Sequence, residues 1–85
     1  WDVPGPGPAV WVKDETRNPT WAWKDRPNAV TVAAAARWGF RRLAVVSTGN
    51  HGAAAAAYCA AAGLGCVVFC HPDAPPGLVA LMRRY

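Results

Sequence analysis

Charge is scarce in this sequence: 16% of its 85 residues are Asp, Glu, Lys or Arg, while 53% are hydrophobic. That balance excludes a disordered chain held open by self-repulsion and predicts a packed core wherever the apolar runs can be covered. The basic residues outnumber the acidic ones nine to five, for a formal net charge of +4, but no run of five exists. Arg41-Arg42 and Arg83-Arg84 are isolated pairs, the pattern of solvated helix ends, so no nucleic-acid partner is expected. The three cysteines, Cys59, Cys66 and Cys70, are odd in number and lack any CxxC spacing. They exclude a disulfide framework and a zinc site built with His71, and read instead as buried, reduced thiols of a cytoplasmic protein with no metal.

Between Leu43 and Cys70 there is no charged residue at all. That stretch exceeds the roughly 20 residues a membrane helix needs, but Ser47-Thr48-Gly49-Asn50-His51-Gly52 and Gly63-Leu64-Gly65 interrupt it and alanine dominates its middle, so no membrane association is expected. Eighty-five residues also leave no room for a multi-domain enzyme. The chain opens on Trp1 and ends in an uncapped helical stretch, and it is expected to be a fragment of a larger domain.

The punctuation gives the organisation. Residues 1–9 are rich in Pro and Gly and form an opening loop or linker, and residues 10–85 form a partial folded domain. Val10-Trp11-Val12 is β-rich and reads as a first strand running into a loop through Asn18-Pro19. From Lys24 or Asp25 to Trp38 the residues favour helix, with Pro27 in the first turn and Gly39 as the cap. Arg42 to Ser47 contains a short apolar run suited to a buried parallel strand. Gly52 to Ala62 is almost pure alanine and closes at Gly63. Cys66 to Cys70 repeats the buried-strand pattern, and a third helix begins near Pro76. The expected order is β-α-β-α-β-α, a partial three-layer α/β/α sandwich around a parallel sheet.

In such sheets ligands sit beyond the carboxyl ends of the strands, which places Lys24 and Asn50 at one crevice. The start of the second helix, beside the turn Ser47 to Asn50, offers unpaired amides and the positive end of a dipole to a carboxylate or phosphate. Trp21, Ala22 and Trp23 are expected to surround Lys24 with apolar bulk, an environment suited to a lysine nucleophile.

The run Asn18-Pro19-Thr20-Trp21-Ala22-Trp23-Lys24-Asp25-Arg26 resembles the NPTGSFKDR segment of threonine synthases and related pyridoxal-phosphate enzymes of the tryptophan-synthase β-subunit fold (fold type II). Ser47-Thr48-Gly49-Asn50-His51-Gly52 resembles the second signature of that family, its S-x-G-N loop. The resemblance continues through Ala57-Tyr58, Ala62-Gly63-Leu64 and Val67-Val68-Phe69 to Pro72. It implies that Lys24 holds the cofactor, pyridoxal 5'-phosphate, and acts as the catalytic base. It implies further that Asn50 contacts the cofactor ring and that Ser47, Thr48, Gly49, Asn50 and His51 hold the carboxylate of a small amino-acid substrate. The family's glycine-rich phosphate loop has no counterpart after Gly65.

The activity so implied is a threonine-synthase-like lyase that converts O-phosphohomoserine to threonine and phosphate. Ala22 and Trp23 depart from the usual serine and phenylalanine, and His51-Gly52 is a pairing more typical of serine and threonine dehydratases, which stand as the alternative. A truncated α/β module that binds an anion without catalysis is the non-enzymatic one. Oligomeric state stays open, with a homodimer among the options.

Overall fold

The computed structural model describes Gly5 and residues 7–85. Helix α1 (Asp25–Arg37) starts where Asp25 meets the positive end of the dipole and stops with Arg37 at the negative one. Its end is a Schellman motif: Trp38 caps, Gly39 turns at φ 81°, and the amides of Gly39 and Phe40 donate to the carbonyls of Ala36 and Ala35. Helix α2 (Asn50–Ala61) ends identically, with Gly63 at φ 69° and the amides of Gly63 and Leu64 donating to Ala60 and Cys59. These left-handed turns are why glycine sits at both positions. Each reverses the chain into a strand, β1 (Arg42–Val46) after α1 and β2 (Gly65–Phe69) after α2. Helix α3 (Pro76–Arg84) follows, with proline at its first position.

The two strands pair in parallel, with Arg42 opposite Gly65 and Val46 opposite Phe69. Helix α2 is the centre of the structure and packs against α1, α3 and both strands. Its small side chains permit that: Gly52, Ala53 to Ala56 and Cys59 are all buried. Strand residues alternate. Leu43, Val45, Cys66 and Val68 are half-buried, whereas Ala44, Val46, Val67 and Phe69 are exposed, Val46 at 81%.

Three expectations are corrected. Val10–Val12 is not a strand among the described residues: it is extended, unpaired and exposed, Trp11 at 92%. Strand propensity needs a neighbouring strand to pair with, and none lies beside it; the chain instead forms a short 3-10 turn at Glu15–Arg17. The sheet therefore has two strands, and the described order is turn-α-β-α-β-α. The α/β class with a parallel sheet stands, but one sheet face is left uncovered, so the third layer of a sandwich is not formed by these residues. The radius of gyration, 15.9 Å, exceeds the roughly 12 Å of a compact chain this long. The expected opening loop, residues 1–9, lies partly outside the described residues; Gly5 and residues 7–9 carry no helix or strand. Of the cysteines only Cys59 is buried, while Cys66 is half-buried and Cys70 exposed. No helix among the described residues is long and apolar enough to cross a membrane.

Candidate functional site

The loop that delivers Lys24 is held by side chains because it has no regular backbone pattern. Asn18 donates through Nδ2 to the Glu15 carboxylate at 2.6 Å and to the Ala22 carbonyl at 3.1 Å. Thr20 donates both its backbone N–H and its hydroxyl to the Asp25 carboxylate, at 2.9 and 2.8 Å, and all three groups are buried. Arg26 pairs with Glu15 at 2.7 Å. That guanidinium, with Asn18 and Lys13, holds the Glu15 carboxyl down at about 2. The three-residue turn Glu15–Arg17 and the first turn of α1 are thereby fastened to one another. Between them Trp21 adopts φ 59°, a left-handed conformation that an L side chain adopts at a cost.

Lys24 itself already has helical dihedrals as the residue before α1. It is half-buried, and its Nζ lies 4.3 Å from the centre of the Trp23 ring. The expected apolar enclosure is not formed. Trp21 and Trp23 are 64% and 56% exposed, and the ring face beneath Nζ is a cation–π contact that attracts charge. The physical reason is that the crevice is open on this side: no described element covers the two indoles. Among the described residues no carboxylate lies within ion-pair distance of Lys24.

The second loop follows β1. Ser47 donates its backbone N–H to the Phe69 carbonyl, which fixes the loop to the end of β2. Its Oγ accepts from the amides of Gly49 and Gly52, at 3.2 and 2.9 Å. That hydroxyl lets α2 begin at Asn50, two residues before the Gly52 expected from composition. The backbone N–H groups of Asn50 and His51 have no partner among the described residues, and no side chain caps the helix at Gly49. Thr48 and Asn50 are exposed, and Gly49 and His51 are half-buried. The start of this twelve-residue helix thus presents free amides to an anion.

The two loops meet through a residue the sequence reading passed over. Asn28 is 1% exposed. Its Nδ2 donates to the Lys24 carbonyl at 2.8 Å and lies 3.0 Å from Nδ1 of His51. Its Oδ1 is buried without a partner. Asp25 and Thr20 form a second buried polar pair beside it. The signal was present: the buried positions of α1 are Asp25, Asn28, Val32 and Ala35, a helical spacing on which two polar residues fall. Polar groups on a buried face require partners, and here these are Thr20, the Lys24 carbonyl and His51.

Two grooves lie elsewhere. One of about 460 Å³ runs between α2, β2 and α3 beside Ala56, Val68 and Met82. The other, about 490 Å³, lies between α1 and β1 beside Val30, Trp38 and Phe40. Neither includes Lys24 or Asn50. His71 is exposed, 3.3 Å from Asp73 in the turn before α3. No three His, Cys, Asp or Glu side chains gather to hold a metal among the described residues.

Comparison with known proteins identifies the family. The family described as pyridoxal-phosphate dependent enzyme matches residues 3–85. A threonine synthase of Halalkalibacterium halodurans is 47% identical over 75 residues, which are 88% of this chain and 20% of that protein. A threonine synthase of Methanocaldococcus jannaschii is 42% identical over 72 residues, 85% of this chain and 17% of its own length. The 2-amino-4-ketopentanoate thiolase beta subunit of Acetoanaerobium sticklandii is 38% identical over 66 residues, 78% of this chain and 14% of its own length. The chain spans a fifth or less of the length of these relatives.

Proposed function

The chain belongs to the pyridoxal-phosphate dependent enzymes, and on that premise we propose that it carries the lysine and the carboxylate-binding loop of a threonine-synthase-like lyase. The observation that carries this reading is the Asn28 bridge, which joins the backbone of Lys24 to the half-buried imidazole of His51 and so brings the lysine turn against the start of α2. The residues fit the cofactor. A half-buried lysine without a carboxylate partner stands ready for its aldehyde, and a helix start with free amides stands ready for an anionic substrate group.

Pyridoxal phosphate, when bound, supplies an electron sink for the substrate's α-carbon. The chain's own residues bind, orient and move protons. Lys24 Nζ holds the cofactor and takes the proton from the α-carbon. The amides at the start of α2, with the Ser47, Thr48 and Gly49 segment, would hold the substrate carboxylate, and the exposed side chain of Asn50 would meet the cofactor ring. Ser47 works through the backbone: its Oγ is engaged by Gly49 and Gly52 and keeps the loop in its anion-binding shape. The substrates are a small amino acid, O-phosphohomoserine, and one water, whose hydroxyl ends on the β-carbon, and the products are threonine and phosphate.

A serine or threonine dehydratase is the second reading, favoured by His51-Gly52 following Asn50. Assays of the intact protein separate them. Phosphate release from O-phosphohomoserine supports the first, and ammonia release from serine or threonine supports the second. A protein that develops no visible absorption band with pyridoxal phosphate is the anion-binding module instead.

A further inference from the structure

Asn28 is a poor choice for packing alone. It is almost wholly buried, and its own carbonyl oxygen is left without a partner, so an apolar residue would fill the position at less cost. What it provides is two donated hydrogen bonds from a single nitrogen. One goes to the Lys24 carbonyl at 2.8 Å. That bond fixes the orientation of the amide, since turning it over would set Oδ1 against another oxygen. The second hydrogen of Nδ2 then points at His51 Nδ1, 3.0 Å away, and this ring nitrogen must accept. In a neutral imidazole whose Nδ1 accepts, the proton is on Nε2.

We propose that Asn28 is a positioning residue that holds His51 in the neutral, Nε2-protonated form, so that His51 offers the crevice a hydrogen-bond donor and selects an anionic oxygen of the ligand. The charged side chains of the lysine turn that Asn28 holds are directed elsewhere. Asp25 accepts from Thr20, and Lys24 Nζ lies over Trp23. The half-buried ring has one nitrogen engaged by a buried amide, which leaves Nε2–H as its free polar group. A donor there matches a carboxylate or phosphate oxygen and disfavours an ammonium. The ligand part rests on the reading given under Proposed function, whereas the tautomer does not.

The test is long-range proton–nitrogen correlation of the histidine rings in the intact, nitrogen-15-labelled holoenzyme, with inorganic phosphate as the anion probe. In the wild type, His51 is expected to show a proton-free Nδ1 and a protonated Nε2, and the Nε2 signal is expected to move on addition of phosphate. Asn28→Asp places an acceptor against Nδ1 and is expected to draw the proton there and to weaken the phosphate response about tenfold. A wild-type His51 protonated on Nδ1, or a tautomer indifferent to Asn28→Asp, overturns the proposal. If Asn28→Asp does not fold, the wild-type spectrum still decides the tautomer, and two His51 variants decide the donor. His51→Gln keeps an N–H near the position of Nε2 and is expected to retain phosphate binding; His51→Asn is expected to lose it, and equal binding by both overturns the donor role. Absence of a visible band with pyridoxal phosphate in the same sample would count against the enzymatic reading alone.

Discussion

Asn28 and His51, 23 positions apart in the sequence, meet at 3.0 Å, and the same amide nitrogen also reaches the carbonyl of Lys24 at 2.8 Å. One buried side chain therefore ties the first turn of α1 to the first turn of α2. The lysine and the free amides at the start of α2 are positioned relative to each other by this contact and by the packing of α1 on α2.

Lys24 is expected to be the residue that bonds covalently to the cofactor. Borohydride reduction of the intact protein with pyridoxal phosphate, followed by peptide mapping, should recover the label on the peptide containing Lys24. Lys13, the chain's other lysine, pairs with Glu15 at 3.2 Å and should stay unlabelled. Lys24→Ala should abolish turnover, because no neighbouring side chain supplies a primary amine; label on Lys13 would refute the assignment.

Trp21→Gly should stabilise the protein. The residue stands at φ 59° with 64% of its surface exposed, so the substitution relieves backbone strain and gives up little burial. Left-handed conformation costs about 1–2 kcal/mol for a residue with a Cβ, and glycine's extra unfolded-state entropy returns part of it, for a net gain of about 0.5–1 kcal/mol. Urea unfolding of the intact protein measures it, and a lower midpoint in the variant counts against strain at this turn.

Thr20→Val should destabilise the lysine loop by about 1.5–3 kcal/mol, the usual effect of removing a hydrogen bond to a charged group. The hydroxyl bond to Asp25 is 2.8 Å long and buried, and the isosteric valine leaves a carboxylate oxygen short of its donor. Amide hydrogen exchange around residues 18–25 should accelerate in the variant. Exchange unchanged there would mean that the Thr20 backbone bond to Asp25 suffices.

Glu15 should make folding sensitive to acid. Arg26 first, and Asn18 next, hold its carboxyl at about 2 in place of the ordinary 4.5. A carboxyl lowered on folding contributes stability that is fully present above its unfolded value and is lost as pH falls through the folded one. The Glu15 contribution should therefore fade between about 4.5 and about 2. Thermal midpoints of wild type and Glu15→Gln recorded across that range should converge toward its acid end; a constant difference would mean that Glu15 acts by packing alone.

The 85 residues expressed alone should expose an apolar sheet face. Val46 and Phe69 are 81% and 60% exposed on the side that α2 does not cover, and a parallel sheet ordinarily has both faces shielded. Binding of a hydrophobic dye without a cooperative thermal transition is the expected result. A sharp transition with no dye binding would show the bare face to be tolerated.

Much of the candidate site was legible because it is local. The resemblance of Asn18 to Arg26 and of Ser47 to Gly52 to family signatures needs only consecutive residues, and both segments open helices. Asn28 was not legible as a site residue, since its role depends on His51 lying across the interface of two helices. Nor did composition reveal that the Ser47 hydroxyl is engaged by the Gly49 and Gly52 amides.

The sequence by itself determined what short-range forces decide. Alanine propensity sets α2, and the left-handed glycines Gly39 and Gly63 end two helices. Each depends on contacts within a few residues. Tertiary structure alone decided that Val10–Val12 stays unpaired, that one sheet face is covered and the other bare, and that Trp21 and Trp23 flank Lys24 without enclosing it. Those outcomes depend on whether a partner arrives from elsewhere in the chain. A strand is stabilised by its neighbour and a buried amide by its acceptor, and neither is written in the residues beside it.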